Sequence, residues 1–266
     1  YDGRNCMTSS VSELPVNGSL APNSRWTFAY DARGALVSAL GEGNNGGYGT
    51  WSPFNAYTFA YDQQGRILLE QREDLSGGTT RSGSRYRITR DGAGNILIYL
   101  YETWKNGWSG SQRVTYTRDI HGNELSYLVE RCPNGSWVNS SRSAYVYDAA
   151  GNTLSATRDE WMDGAWMKFD RVSRAYDEQN NRTLTLYEYG RDGAWVNDYR
   201  YRTTYENGRQ RSEVGESWQN GVWVPTHRST MTYATGGDGV FRTVDTWDGS
   251  TWMTSRRQSY AYDASG

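Results

Sequence analysis

The chain has 266 residues, a formal charge of −2 and a mean hydropathy of −0.84. It carries 12 Trp and 21 Tyr against only 5 Phe, and 30 Gly against 5 Pro. Near-neutral charge with no basic stripe argues against nucleic acid as a partner, no apolar run is long enough for a membrane-inserted helix, and two cysteines make neither a disulfide scaffold nor a zinc site.

A Tyr-Asp step recurs along the sequence. With Asp148 as zero, its equivalents are Asp2, Asp31, Asp62, Asp91, Asp119, Asp177, Glu206, Ala234 and Asp263. The spacing is about 29 residues, and a fixed period of that length marks a repeat architecture. Eleven residues before the anchor stands Trp51, Trp108, Trp137, Trp166, Trp195, Trp223 or Trp252, with Leu20 and Thr80 as exceptions. Six before it stands Arg25, Arg85, Arg113, Arg142, Arg171, Arg200, Arg228 or Arg257. One before it stands Tyr30, Tyr61, Tyr147, Tyr176, Tyr205, Tyr233 or Tyr262, with Arg90 and Arg118 as substitutes. We therefore expect residues 1–266 to form one repeat array, irregular over 1–24 and regular over 25–266. About nine hairpins give about 18 strands.

In chain order, 1–24 contains turns at Asp2 and at Asn17-Gly18, with Pro15, Leu20 and Pro22 in place of the usual strand residues. Over 25–62 a strand reaches Tyr30-Asp31, and a second near 35–40 runs into the Gly-rich link 41–47. This repeat is longer than the rest, and long Gly-rich links are where binding loops sit. Over 63–119 apolar runs alternate with turns, including Asn106-Gly107. The same pair type follows at Asn134-Gly135, Asp163-Gly164, Asp192-Gly193, Asn220-Gly221 and Asp248-Gly249. Asn-Gly and Asp-Gly tolerate positive φ and so specify tight hairpins. Helical periodicity is absent, so the fold class is all-β, an antiparallel hairpin array.

Side chains alternate across a strand. Counting back from Asp148, that alternation puts Trp137, Ser143, Tyr145 and Tyr147 on one face, with Arg142, Ala144, Val146 and Asp148 on the other. The arginine column then reads as a structural row of ion pairs or stacked guanidiniums. Trp104/Trp108, Trp161/Trp166, Trp218/Trp223 and Trp247/Trp252 are expected to meet in pairs across their turns. Long sheets tend to curl, so a spiral, tube or barrel-like sheet is expected, with an extended sheet as the alternative. Cys6 and Cys132, about eight strands apart, are the candidate disulfide. An intrachain bridge would require the sheet to turn back on itself, and an intermolecular one would join copies.

Tyr147-Asp148-Ala-Ala-Gly151-Asn152 and Tyr61-Asp62-Gln-Gln-Gly65-Arg66 resemble the Tyr-Asp repeats of RHS/YD-repeat proteins. The longer unit, with Trp-Val-Asn at 137–139 and 195–197, resembles Tyr/Trp-rich repeats of secreted and surface proteins of Bacteroidota-type bacteria. That resemblance implies an extracellular or cell-surface bacterial β-sheet protein with a structural or adhesive role.

No catalytic constellation emerges. His121 and His227 occupy unrelated repeat positions, so neither a metal nor a cofactor is expected. No nucleophile elbow is present, and 236–239 precedes a strand rather than a helix, which excludes a phosphate loop. Asp119, Asp148 and Asp177 read as turn residues whose carboxylates accept backbone N–H groups. The expectation is a non-enzymatic structural protein, a segment of a surface stalk, sheath or filament, partnered by its own copies or by further repeats. Two alternatives stand beside it: an adhesin that binds glycans through exposed Trp and Tyr, and an RHS-like β-shell around a cargo. Departures from the repeat at 1–24, 41–50 and 234–240 are where a more specific role would sit.

Overall fold

A computed structural model of the chain describes residues 1–44, 50–234 and 239–261. Residues 45–47 of the Gly-rich link, the core of the 234–240 departure and the last Tyr-Asp step at Tyr262-Asp263 lie outside the described residues. The chain divides into two compact units, Tyr1–Ser140 and Ser141–Gly266. Each is taken by itself.

All 18 elements among the described residues are β-strands. The first unit holds β1 (Ser9–Val16), β2 (Ser19–Tyr30), β3 (Leu36–Asn44), β4 (Trp51–Tyr61), β5 (Ile67–Ser76), β6 (Thr79–Arg90), β7 (Ile96–Trp104), β8 (Trp108–Arg118) and β9 (Glu124–Arg131). β10 (Val138–Tyr147) begins in the first unit and lies mostly in the second. The second continues with β11 (Thr153–Met162), β12 (Ala165–Tyr176), β13 (Arg182–Arg191), β14 (Ala194–Glu206), β15 (Arg209–Gln219), β16 (Val222–Tyr233), β17 (Gly239–Trp247) and β18 (Trp252–Ala261). Within each unit every strand pairs antiparallel with the next, a plain meander.

Turn chemistry sets this connectivity. Asp163, Asp192 and Asn220 take φ near +50°, each followed by a Gly at positive φ, as a two-residue hairpin with both central residues left-handed requires. Asn207-Gly208 does the same in the shortened repeat. Three of the expected tight turns differ. Asn106-Gly107 closes a three-residue loop between β7 and β8, in which the Lys105 N–H donates to the Gly107 carbonyl. Asp248 keeps negative φ and instead accepts the N–H groups of Ser250 and Thr251, and Asn134-Gly135 lies inside a longer loop after β9. At the other end of each hairpin the anchor aspartate closes the turn. Asp148 Oδ1 accepts from the Ala150 and Asn152 N–H groups, while Oδ2 accepts from the Asn152 amide at 2.9 Å. Asp119 and Asp177 repeat this with Asn123 and Asn181.

Among the described residues the sheet has no second layer within either unit. Strands contact only their sequence neighbours, apart from a slight approach of β12 to β14. Ala39 is the one buried apolar residue among those described. An ordinary hydrophobic core therefore does not hold these strands together, and the cross-strand contacts must.

Most repeats carry two β-bulges at recurring positions. One follows the Asp turn, at Val37, Leu68, Leu97, Leu125, Leu154, Thr183 and Arg211. The other lies eight residues before the anchor, at Asn23, Phe54, Ser111, Phe169, Asp198, Thr226 and Ser255. A bulge inserts one residue and so reverses the alternation beyond it. This corrects the face assignment. Trp137 and its equivalents lie beyond the second bulge, on the arginine face rather than the tyrosine face.

Cys6 and Cys132 are both free thiols, with no bridge between them within the chain. The Cys6 N–H is held by Asp2 before β1, and the Cys132 N–H by the Ser111 carbonyl after β9. The two thiols thus stand at opposite ends of a nine-strand ladder.

Candidate functional site

The feature that recurs most faithfully is a row of three side chains. The guanidinium of Arg171 on β12 pairs with Glu188 on β13 at 2.6 Å and stacks over Trp195 on β14 at 5.0 Å. Arg25, Arg85, Arg113, Arg142, Arg200 and Arg228 do the same. Their carboxylate partners are Glu42, Glu102, Glu130, Asp159, Glu216 and Asp245, at 2.6–2.8 Å. Their indoles are Trp51, Trp108, Trp137, Trp166, Trp223 and Trp252, at 4.4–4.8 Å. Each row thus ties three successive strands on one face. Small residues let the indoles settle: a Cβ on Gly83 would come within 3.1 Å of the Trp108 ring, and one on Gly110 would press into Trp137.

Charge is balanced locally along the row. Glu102 and Glu216 are almost fully buried, and burial by itself disfavours their charged form. Two arginines on each, Arg85 with Arg87 and Arg200 with Arg202, overcome that penalty and hold both carboxyls below their usual range. Asp245 is lowered by its bond from Arg228. Asp148 and Asp177 are lowered chiefly by the Asn152 and Asn181 amides.

The opposite face carries the tyrosines. Tyr30, Tyr61, Tyr176, Tyr205 and Tyr233 each donate a phenol hydrogen bond to a main-chain carbonyl of the preceding repeat: Met7, Leu36, Thr153, Arg182 and Gln210. The substitutes Arg90 and Arg118 donate to the equivalent carbonyls of Ile67 and Ile96. Tyr and Arg interchange at this position because both reach the bulge carbonyl with an N–H or O–H. Trp pairs meet edge-to-face across the turns as expected, with centroids at 5.5 Å for Trp104/Trp108, 5.1 Å for Trp161/Trp166, 5.0 Å for Trp218/Trp223 and 5.2 Å for Trp247/Trp252.

One row is missing, and all its differences coincide. Ala56 stands where the arginine belongs and Thr80 where the indole belongs, while Glu73 keeps the carboxylate place. Glu73 accepts from Gln71 Nε2 and Thr80 Oγ1, both at 2.7 Å. The bulge there moves to Arg81. Arginine and tryptophan thus disappear together, as partners in one stack would.

The histidines remain apart. The His121 N–H is bound by Asp119 in an exposed turn. His227 Nδ1 lies 3.0 Å from the Tyr199 phenol, above Gly215, where a Cβ would collide with both rings. Among the described residues no group of three or more His, Cys, Asp or Glu side chains is placed to hold a metal ion. The carboxylate column, eleven residues after most anchors, was not picked out in the sequence. Its signal is there, in Glu or Asp at 42, 73, 102, 130, 159, 188, 216 and 245.

No protein-family profile matches the chain, and no curated protein matches it either. Similar solved structures include a Bacteroides fragilis protein of unknown function, 15% identical, covering 56% of this chain and 91% of that one at a TM-score of 0.24. A porin-like protein from Bacteroides uniformis is 11% identical, with 95% and 93% covered and a TM-score of 0.28. The TcdB2-TccC3-TEV structure is 14% identical, with 96% of this chain and 16% of that one covered at 0.23. Superpositions this loose carry no argument about the present chain, whose own strands and rows identify it as a β-repeat protein.

Proposed function

We propose that the chain is a non-enzymatic structural module, a segment of a bacterial surface stalk, sheath or filament. One observation carries this reading: the side chains best suited to chemistry, the arginines, buried carboxylates and turn aspartates, are committed to joining one hairpin to the next. A quasi-one-dimensional array stabilised by neighbour contacts suits a spacer whose length is set by repeat number. The carbohydrate-binding reading draws less support, since the indole faces that would stack on a sugar already carry guanidiniums.

Two measurements test the proposal. Labelling or protease treatment of intact cells should reach the protein from outside. Deletion of one whole period, residues 149–177, should leave a folded, shorter array still displayed there. Protection from external reagents, with release only on lysis, would sink the proposal.

A further inference from the structure

The repeat that lacks a complete row differs on its other face as well. Its bulge lies at Arg81 instead of eight residues before the anchor, so Ser82 pairs with Asp74 and Gly83 with Glu73. In other repeats the residue nine before the anchor pairs with the row carboxylate, as Gly110 does with Glu102, Asn197 with Glu188 and Thr254 with Asp245. Displacing a bulge reverses the parity of the residues between its old place and its new one. Ser82 is thereby turned from the arginine face to the tyrosine face. It joins Ser84 there, and the two serines stand opposite Asp74 and Arg72. Arg72, Asp74, Ser82, Gly83 and Ser84 line an open cleft of 280 Å³. The cleft lies within the first unit, on strands that are paired along both edges.

The lining is polar and its charges offset each other. Asp74 accepts from Ser82 Oγ at 2.7 Å, and Arg72 reaches it at 3.4 Å. With its amide nitrogen turned toward Asp74, Asn55 on β4 adds a donor at 2.7 Å. The carboxylate and the guanidinium stay 46% and 55% exposed, unlike the buried Glu102 and Glu216 of the complete rows. They therefore keep lone pairs and N–H groups for a ligand. Aromatic rings flank the cleft on the same face. Tyr57 pairs with Arg72 and lies 6.0 Å from its guanidinium, and Tyr86 follows Ser84 along β6 and stacks on Tyr101 at 4.9 Å. A few convergent polar groups beside aromatic rings suit a ligand with many hydroxyls and an apolar ring face. The volume is near the lower end of small-ligand sites, about 300 Å³, which suits a sugar ring and excludes a large cofactor. We infer that this cleft binds a neutral hexopyranose unit of a glycan. Its vicinal hydroxyls bond to Asp74, Arg72 and the two serines, and its C–H groups lie against the flanking tyrosines. The indoles, whose faces carry guanidiniums, take no part. The row is given up where the cleft is built, and a local rule broken at one place is what a functional site leaves in a regular fold.

The purified 266-residue chain tests this by isothermal titration with cellohexaose, laminarihexaose, mannohexaose and maltohexaose. At least one should bind saturably with a dissociation constant below about 1 mM. Its affinity should not fall as salt rises, because the ligand is uncharged. Asp74→Ala removes the central acceptor and should weaken binding by roughly tenfold or more. Ser84→Val fills the cleft with methyl groups, leaves the bonds to Asp74 in place and should weaken binding likewise. Glu73→Ala, on the same strand but the opposite face, should bind as wild type does. Circular dichroism should show both cleft variants folded, which removes misfolding as an explanation. No saturable binding by any hexaose, full affinity in both cleft variants, or an equal loss in Glu73→Ala overturns the inference. None of these results bears on exposure at the cell surface, which the intact-cell labelling reads independently.

Discussion

The two units share a period but use their faces differently. In the second unit all four rows are complete: Arg142, Arg171, Arg200 and Arg228 each have a carboxylate and an indole. The first unit has three complete rows and the broken one at Ala56, Glu73 and Thr80. The tyrosine face shows the reverse. Five and three residues before the anchor, the first unit holds Trp26, Phe28, Tyr57, Phe59, Tyr86, Ile88, Val114 and Tyr116. The second has Ser143, Tyr145, Val172, Arg174, Tyr201, Thr203, Ser229 and Met231. One unit supplements its rows with apolar contacts such as Trp26 on Phe54 and Tyr86 on Tyr101. The other depends more fully on the rows. The row is thus the constant part of the repeat, and the tyrosine face is free to vary while the sheet persists.

Acidification should have the largest effect, because it acts on every aspartate turn at once. The turn carboxyls are depressed in the folded chain below their ordinary 3.8, and that of Asp248 to about 2. A group lowered in this way stabilises the fold above its unfolded pKa, and the contribution is lost as pH falls through the folded value. Melting temperature should therefore drop between about pH 4 and pH 2. Amides of the Asp31, Asp62 and Asp91 turns should lose protection before those of the Asn207-Gly208 turn, which uses no anchor carboxylate. Equal loss at both kinds of turn would remove the aspartates from the explanation.

Next in size is a carboxylate deletion in each unit. Glu216→Ala strands two guanidiniums and should cost about 2–3 kcal/mol, below the full penalty for a buried pair because Arg202 is half in solvent. Glu73→Ala removes two neutral donors' acceptor and should cost about 1 kcal/mol. Denaturant titration of the pair measures the contrast, and equal costs would deny that complete rows bear more load.

The tyrosine face offers a smaller contrast at matched positions. Ile88→Ala in the first unit should lose about 1–2 kcal/mol of half-buried packing. Arg174→Ala, at the same phase in the second, should stay within about 0.5 kcal/mol of wild type. The smallest effect is a gain. Ala56→Arg with Thr80→Trp rebuilds the missing row against Glu73 and should add about 0.5–1 kcal/mol. Each single change should add less than half of that.

Much of this was legible in the sequence. Tyr147-Asp148 and its equivalents mark the period, Asp163-Gly164 and Asn220-Gly221 mark the hairpins, and Trp161/Trp166 predicted a contact that forms at 5.1 Å. What alternation could not convey was the bulge at Phe169, Asp198 or Thr226. The bulge residues share no chemistry, so nothing in the residue types announces the change of parity that brings Trp195 beside Arg171. The carboxylates were harder to see because Asp159 and Asp245 interrupt a column otherwise made of Glu and a shortened turn shifts Glu216 by one. The joint absence of arginine and tryptophan at Ala56 and Thr80 was the clue that the two columns belong to one contact.

The central claim is that arginine, carboxylate and indole act as one unit across three strands. A double-mutant cycle on Arg171 and Trp195, with Arg171→Gln and Trp195→Leu studied by equilibrium denaturation, tests it most directly. The two residues lie on different strands and touch only through the 5.0 Å stack. The account predicts a coupling of about 0.5–1 kcal/mol. Strictly additive single effects would contradict it.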